Sequence, residues 1–372
     1  MYITRLSLHN FRSYAELSIS PDKGLNVLLG KNAVGKTSLL EAMYILATSR
    51  SCRAGKDSEL IHWDADRARV AADIAREQQN DVEIEVTFGR SEKKQIKVNT
   101  IRQTKLAGLM GQINVVLIEP RDREIVRGEP SERRRFLNLE ISQIQPQYCH
   151  LLLSYRKVLE QRNRLLRELG SARSRDVGLG AWTDQLVKYG SRILERRLEF
   201  VRHLGELTRI IHSQITDAKE SVEVKYESSI NLDGAENASD LAERLRASLE
   251  ELGAEEIRRG VTLVGPQRDD LLFKVNGVDA RVYGSQGQQR AIALSLRLAE
   301  LELMSETAKE PPIILLDDVM ADLDEERRAH VFEMTSGRCQ TFVTGVSPAV
   351  FDAEFLAGAT IYRVSGGQVT TQ

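Results

Sequence analysis

A glycine-rich segment near residue 30 has residue types and spacing that suit phosphate chemistry. It fits the pattern G-x-x-x-x-G-K-[ST] and runs Gly30, Lys31, Asn32, Ala33, Val34, Gly35, Lys36, Thr37, with Ser38 directly after it. In such a loop the backbone N–H groups turn towards phosphate oxygens, and the N-terminus of the next helix adds a favourable dipole. Lys36 is expected to reach the β- and γ-phosphates, and the Thr37 hydroxyl to ligate Mg²⁺. The segment through Ser38 therefore predicts a binding site for Mg-ATP.

Two neighbouring carboxylates form a second candidate site. Asp317 and Asp318 directly follow the apolar run 313–316, which is typical of a buried strand. Asp317 is expected to hold the shell of the magnesium ion, and Asp318 to polarise the attacking water. Asp318 and Lys36 are the predicted catalytic residues. A strand that ends in two solvated aspartates is the alternative, which the glycine-rich loop in the same chain makes less attractive.

A third candidate lies at the start of a predicted helix, 32 residues before Asp317. Ser285, Gly287 and Gln288 stand there within the string Ser-Gln-Gly-Gln. Exposed N–H groups at a helix N-terminus form an anion site, which makes sense if it meets the γ-phosphate held by a second copy of the chain. Simple N-capping by Ser285 is the alternative and, for an isolated motif, the more common role.

Hydrophobic patterning predicts the elements that position these residues. The apolar run 25–29 ends at Gly30, and apolar residues recur every three or four positions over 36–46, so a buried strand should lead through the loop into a helix. Asn276-Gly277 predicts a tight hairpin turn. Similar patterns predict strands at 82–88, 113–118, 313–316 and 340–344 and helices from Pro130 and at 239–252, 285–304 and 324–334.

The middle of the chain is different, because residues 145–217 carry helical apolar stripes. Gly178 and Gly180 interrupt them, which predicts an antiparallel helical hairpin. It is too short for a long coiled-coil arm. The stretch 228–240 is acidic and contains Ser and Asn, which predicts a surface loop.

Composition narrows the class of protein. The chain has 372 residues, 41% hydrophobic and 28% charged, with a net charge of −2. No apolar run is long enough for a transmembrane helix, and no signal peptide is evident, so we expect a cytoplasmic protein without membrane contact. Three distant cysteines suggest neither a disulfide framework nor a Cys-x-x-Cys site. The six histidines show no metal-ligand spacing.

Positive charge is concentrated locally. Residues 90–135 contain 12 Lys or Arg against 6 Asp or Glu, and such patches rather than net charge decide phosphate binding. The run 133–135 could contact DNA or form ion pairs within the fold. Arg50, Arg53 and Lys56 could equally face DNA or solvent.

The order of the three motifs resembles an ABC-type ATPase, and residues 321–324 match the position of its D-loop. The long interval between the loop and Ser285 resembles the branch in which an insertion splits the ATPase head. Longer strings narrow the resemblance to the RecF recombination-mediator family. These strings are residues 10–14, 30–42, 130–137, 265–270, 285–290, 315–319 and 323–328.

The resemblance implies an α/β fold: an ABC-type P-loop ATPase head of mixed sheets and helices, split by an inserted helical arm. The divisions would be 1–144 for the N-terminal part of the head, 145–260 for the arm and 261–372 for the C-terminal part. It also implies a DNA-repair ATPase that dimerises on ATP and binds single-stranded, double-stranded and gapped DNA. Such a protein helps to load recombinase with RecR- and RecO-type partners, and slow DNA-stimulated hydrolysis resets it. Ser285, Gly287 and Gln288 would contact the nucleotide of the opposite subunit.

Three positions depart from the family or class pattern. Gln267 stands where the family usually has His, Gly345 where transporters have a switch histidine, and Glu119 where a Q-loop glutamine is expected. A nuclease of the OLD type, an SMC- or Rad50-type structural ATPase and a transporter subunit are the alternatives. Few acids follow residue 326, which argues against the nuclease. Long heptads and a Cys-x-x-Cys hook are absent, which argues against the structural ATPase. The late position of the Ser-Gln-Gly-Gln string argues against the transporter subunit.

Overall fold

The computed structural model describes residues 1–77, 79–171, 178–235, 237–351 and 353–371. The chain forms two compact units. The first, here called the P-loop unit, comprises Met1–Arg123, Ile211–Lys219 and Arg290–Gln372. The second, the helical unit, comprises Glu124–Ile210 and Glu220–Gln289. No helix among the described residues is both long and apolar enough to cross a membrane.

The strands and helices are numbered along the chain. The strands are β1 (Tyr2–Phe11), β2 (Tyr14–Ile19), β3 (Leu25–Leu29), β4 (Arg67–Ala75), β5 (Val82–Gly89), β6 (Gln95–Val98), β7 (Ile101–Gln103), β8 (Val115–Ile118), β9 (Val222–Glu227), β10 (Asp270–Val275), β11 (Val278–Asp279), β12 (Ile313–Leu316), β13 (Thr341–Gly345), β14 (Thr360–Ser365) and β15 (Gln368–Thr371). The α-helices are α1 (Lys36–Thr48), α2 (Arg123–Arg127), α3 (Pro130–Ile144), α4 (Pro146–Gly170), α5 (Leu179–Ile215), α6 (Ala238–Glu251), α7 (Gly253–Arg259), α8 (Gln286–Ala308), α9 (Glu325–Thr335) and α10 (Ala353–Leu356).

A six-stranded sheet in the P-loop unit carries the glycine-rich loop. Its order is β15-β14-β3-β13-β12-β8. The strands from β14 to β8 are parallel, and β15 is antiparallel to β14. Every residue of β12 and β13 is buried, as expected for strands covered on both faces. Because the carboxyl ends of parallel strands meet at one edge, the loop after β3 and the aspartates after β12 lie at the same edge.

A second sheet in the P-loop unit is antiparallel, in the order β2-β1-β4-β5-β6-β7. The strand predicted at 82–88 is confirmed as β5, and buried residues recur at every second position along it, as in a half-buried strand. An isolated bridge joins Phe11, the last residue of β1, to Ile61. This bridge attaches the segment that follows α1 to the end of β1.

The helical unit contains α4 and most of α5 with a small sheet, β11-β10-β9. The two helices are antiparallel, as predicted, because Tyr148 near the start of α4 bonds to Arg197, while Arg162 further along α4 bonds to Thr183. The predicted hairpin is also present, with Asn276 and Gly277 at φ 50° and 82° between β10 and β11.

Arg133 contradicts one sequence interpretation. Its side chain is 1% exposed, and its Nε and Nη2 atoms donate to the Asp270 carboxylate at 2.6 and 2.7 Å. A buried, paired guanidinium cannot reach a DNA backbone without breaking this pair, and breaking such a pair is strongly destabilising. Arg133 therefore joins α3 to β10 and is not part of a DNA-binding surface.

Candidate nucleotide site

The glycine-rich loop connects β3 to α1 as the sequence predicts. Gly35, the N-cap of α1, has φ 110°, a conformation that L side chains rarely adopt. A Cβ atom there would also lie 2.8 Å from the Tyr14 hydroxyl oxygen, and that hydroxyl donates to the Gly35 carbonyl at 3.0 Å. The Tyr14 side chain thus holds the end of the loop, at Gly35, in place. The first backbone N–H groups of α1 lie where the loop ends, and helix N-termini of this kind bind anions.

Lys36 braces the loop from within. Its Nζ donates to the carbonyl oxygens of Gly30 at 2.7 Å and Lys31 at 2.9 Å, and the residue is only 8% exposed. Burial lowers the pKa of the Lys36 amine, while the nearby carboxylates of Asp318 and Asp317 act in the opposite direction. The amine therefore lies within the loop, where it can contact bound phosphate.

Asp317 receives side chains from three other segments of the chain. Its Oδ1 accepts from the Thr37 hydroxyl at 3.0 Å and from the Thr344 hydroxyl at 2.9 Å. Its Oδ2 forms an ion pair with Arg53, and the residue is 2% exposed. The predicted pair of Thr37 and Asp317 is therefore brought together. Sequence patterning missed Thr344, which comes from β13, between β3 and β12.

Asp318 is exposed, unlike Asp317. It has φ 55°, in the left-handed region that Asp tolerates better than most residues. Its backbone N–H donates to the Thr344 hydroxyl at 2.8 Å. Thr344 consequently connects the two aspartates, and the exposed Asp318 carboxylate is accessible to water.

Arg53 was also missed, because the sequence left it facing either DNA or solvent. It pairs with Asp317, and its Nη2 lies 3.7 Å from an Oε2 of Glu119 at the end of β8. Burial, followed by the charge of Asp122, raises the pKa of Glu119 to about 7, and Arg53 opposes this shift. Arg53 and Glu119 thus belong to the edge of the sheet that carries the loop.

A second ion pair, between the half-buried Arg12 and the buried Glu41, supports α1. Glu41 accepts from Nε and Nη2 of Arg12, each at 2.9 Å, and Arg12 Nη1 donates to the Glu59 carbonyl. Arg12 thereby connects the turn between β1 and β2 to both α1 and the segment after it.

Many of these residues line one cavity of about 890 Å³ in the P-loop unit. This volume is in the range of small-molecule sites. Its walls include the loop, both aspartates and residues from the segment after α1. They are Arg12, Ser13, Asn32, Ala33, Gly35, Lys36, Thr37, Ser38, Arg53, Ser58, Glu59, Ile61, Trp63, Arg90, Pro120, Asp317, Asp318 and Thr344.

The oxygen atoms in this cavity fit Mg²⁺. In the part of the chain that the structure describes, no group of three or more His, Cys, Asp or Glu side chains could hold a metal ion. Mg²⁺ needs no such cage, because it is usually held by one or two carboxylates together with substrate phosphates and water. The Thr37 hydroxyl and the Asp317 carboxylate, 3.0 Å apart, are ligands of the right kind.

The Ser-Gln-Gly-Gln string lies in the helical unit, where α8 begins. Ser285 and Gln288 cap the helix reciprocally: the Gln288 N–H donates to Ser285 Oγ at 3.1 Å, and the Ser285 N–H to Gln288 Oε1 at 2.9 Å. The capping role considered from sequence is therefore present. Ser285 and Gly287 are nevertheless exposed, so the same helix start remains accessible.

Comparison with known proteins places the chain in a family. The family described as RecF/RecN/SMC N terminal domain matches residues 2–368. The "DNA replication and repair protein RecF" of Halalkalibacterium halodurans is 42% identical over 99% of this chain and 99% of its own length. The protein of the same name from Oceanobacillus iheyensis is also 42% identical, over 99% and 100%.

Solved structures agree. One described as the recombination mediator protein RecF-ATP in the RecFOR pathway is 31% identical, has a TM-score of 0.92, and the match covers 100% of this chain and 97% of that one. An Smc head domain from Pyrococcus furiosus, 16% identical with a TM-score of 0.57, shares the fold. The predicted fold class and family resemblance are confirmed: the chain belongs to the RecF family, within the RecF/RecN/SMC group of ABC-type ATPase heads.

Proposed function

We propose that this protein is an ATP-dependent DNA-binding protein of recombinational repair that acts as an ATP-gated dimer. The cavity that joins the glycine-rich loop to Asp317 and Asp318 carries the proposal. Nucleotide binding and hydrolysis require a lysine held in the loop, a hydroxyl beside a carboxylate, and a second carboxylate that is exposed.

The nucleotide would bind by its phosphates. The backbone N–H groups of residues 30–38 would surround them, and Lys36 Nζ would exchange its loop carbonyls for phosphate oxygens. Thr37 and Asp317 would hold Mg²⁺, which supplies charge neutralisation when bound. Asp318, the more exposed aspartate, would orient and deprotonate the attacking water. Hydrolysis would be slow, because Gly345 stands where transporters have a switch histidine. Stimulation of hydrolysis by DNA is proposed from the family resemblance.

The second copy of the chain would complete the site. Ser285, Gly287 and Gln288 of one copy would contact the nucleotide held by the other. Gly287 supports this, because a Cβ atom there would have no neighbour closer than Ser285 Oγ at 3.8 Å. Glycine within a helix is destabilising relative to alanine, and no steric contact among the residues that the structure describes requires it. Close approach of another molecule would require glycine at this position.

DNA would be the macromolecular partner. The relatives are named for DNA replication and repair, and the similar structures for the RecFOR pathway. We therefore infer binding to single-stranded, double-stranded and gapped DNA in the cytoplasm, with RecR- and RecO-type mediators. The division into 1–144, 145–260 and 261–372, with the middle part as an inserted arm, belongs to the same proposal.

Light scattering tests the dimer. Mass would be measured without nucleotide, with Mg-ADP and with Mg-ATP, where only Mg-ATP should double it. Binding of labelled gapped and intact duplexes would then be measured under the same three conditions. A monomer in all of them, with neither DNA bound, would contradict the proposal. A protein that dimerises with Mg-ATP but binds no DNA would support ATP-gated dimerisation and contradict a role in DNA repair.

A further inference from the structure

Trp63 is 90% exposed, although tryptophan is normally among the more buried side chains. It lines the same cavity as the glycine-rich loop and the two aspartates. None of the roles proposed above uses it. An indole left open to solvent beside a phosphate-binding loop calls for a physical explanation.

The backbone that carries Trp63 is firmly held. Arg90, at the end of β5, donates through Nε to the Ala65 carbonyl at 2.9 Å. Its Nη2 donates to the carbonyls of His62 and Trp63 itself, each at 3.2 Å. On the other side, the His62 N–H donates to the Asn10 carbonyl at 2.8 Å. The exposure of Trp63 is therefore not the result of a loosely attached loop.

We propose that Trp63 stacks on the base of the nucleotide whose phosphates lie in the glycine-rich loop, and that Arg90 positions it. This inference rests on the proposed nucleotide site and adds the residue that recognises the base. A flat indole face held by a fixed backbone gives a stacking surface without ordering a flexible loop. Stacking on an aromatic side chain tolerates different bases, so Trp63 would raise affinity for nucleosides in general.

The nearby charges favour a nucleotide base over a base of DNA. Within residues 57–66 there is no Lys or Arg, and the exposed charged side chains are the acids Glu59, Asp64 and Asp66. The basic residues next to this segment include Lys56, Arg67 and Arg90; Arg67 is paired with Glu92, and Arg90 is bonded to backbone carbonyls. A DNA strand that placed a base on Trp63 would bring its phosphates alongside these carboxylates, which repel them. A bound mononucleotide has its phosphates at the loop instead, where Lys36 and the helix N-terminus lie.

Fluorescence isolates this residue, because the chain contains only two tryptophans, Trp63 and Trp182. Trp182 lies in the helical unit, so a Trp182→Phe protein reports on Trp63 alone. ATP should quench and shift its emission. Inorganic tripolyphosphate should compete for the loop, shown by displacement of ATP, and leave the emission nearly unchanged, because it has no base.

Affinity gives the second measurement. Trp63→Ala should weaken ATP binding by roughly 5- to 150-fold, the range expected for loss of one stacked base. It should leave tripolyphosphate binding unchanged, and Trp63→Phe should recover most of the affinity. Arg90→Gln should weaken ATP binding by less than Trp63→Ala does.

Three results would overturn the inference: equal quenching by ATP and tripolyphosphate, unchanged ATP affinity in Trp63→Ala, or quenching by an oligonucleotide alone while ATP has no effect. Failure of the nucleotide site itself is distinguishable, because calorimetry on the unmodified protein would then detect neither ATP nor tripolyphosphate.

Discussion

The glycine-rich loop and the start of α8 both carry a glycine where a phosphate is expected, yet the two glycines differ. At Gly35 the chain itself requires glycine, because φ is 110° and a Cβ atom would lie 2.8 Å from the Tyr14 hydroxyl. At Gly287 the backbone is helical and, within the described part of the chain, the nearest atom to a Cβ is Ser285 Oγ at 3.8 Å. The fold therefore explains the glycine at Gly35 but not the glycine at Gly287.

The side chains differ in the same way. Lys36, Thr37 and Asp317 are already hydrogen-bonded to one another's segments within a cavity. Ser285 and Gln288 cap their own helix and are at least partly open to solvent. In the proposed dimer, the fold would therefore assemble one half of the nucleotide site, and association with a second copy would supply the other half.

The largest expected effect tests the half of the site that contains the glycine-rich loop and the two aspartates. Asp318→Asn removes the proposed general base and should slow ATP hydrolysis by about 100- to 10,000-fold. Because the change leaves Lys36, Thr37 and Asp317 in place, ATP binding should persist and the ATP-bound dimer should accumulate. Hydrolysis would be followed by phosphate release and mass by light scattering. Unchanged hydrolysis would assign the base to another residue, and loss of binding would show that Asp318 has a structural role.

The next test asks whether the two halves come from different chains. Lys36→Met should weaken ATP binding by roughly 10- to 150-fold, since a hydrogen bond to a charged group contributes about 1.5–3 kcal/mol. Ser285→Arg should bind ATP and remain monomeric. Each variant alone should be inactive, but a mixture should regain hydrolysis, because such a dimer has one site with an intact loop and an intact Ser285.

Asn237 provides the matched control for that mixture. It caps α6 through its side chain, as Ser285 caps α8, and its helix carries no proposed ligand contact. Asn237→Arg should show only the stability cost of losing a helix cap, about 1 kcal/mol, with a normal ATP-dependent dimer. If the mixture stayed inactive while Asn237→Arg was active, the trans arrangement would be wrong.

The smallest expected effect addresses the two glycines directly. Gly287→Ala should raise the free energy of unfolding by about 0.5–1 kcal/mol, because alanine is the better helix former, while it weakens the ATP-dependent dimer. Gly35→Ala should lower the free energy of unfolding by about 1–2 kcal/mol, since it forces a left-handed alanine. Denaturant unfolding measures both. A Gly287→Ala protein that dimerised normally would contradict the proposed contact at α8.

Local sequence patterns predicted the glycine-rich loop, the strand before Asp317 and the helical hairpin, because each depends on neighbouring residues. Thr37 and Asp317 were each predicted as magnesium ligands from their motifs, and their direct hydrogen bond is a finding of the structure. Thr344 and Arg53 were not predicted as partners of Asp317, because their contacts depend on strand order and on a turn 264 residues away from that aspartate. The Arg133 ion pair was missed as a definite contact for the same reason, as Asp270 is 137 residues distant. The roles in binding and catalysis and the domain limits stay predictions.

The position of β3 has a consequence for how the protein is made. This strand precedes the glycine-rich loop, yet both of its neighbours, β13 and β14, come from residues 341–365. During synthesis β3 has two unpaired edges until β13 and β14, about 310 residues further along the chain, have left the ribosome. Unpaired strand edges favour aggregation, and such distant pairing is slow to form. The emerging chain should therefore depend on chaperones until β13 and β14 are available, and a product that stops before residue 341 should neither fold around β3 nor retain nucleotide.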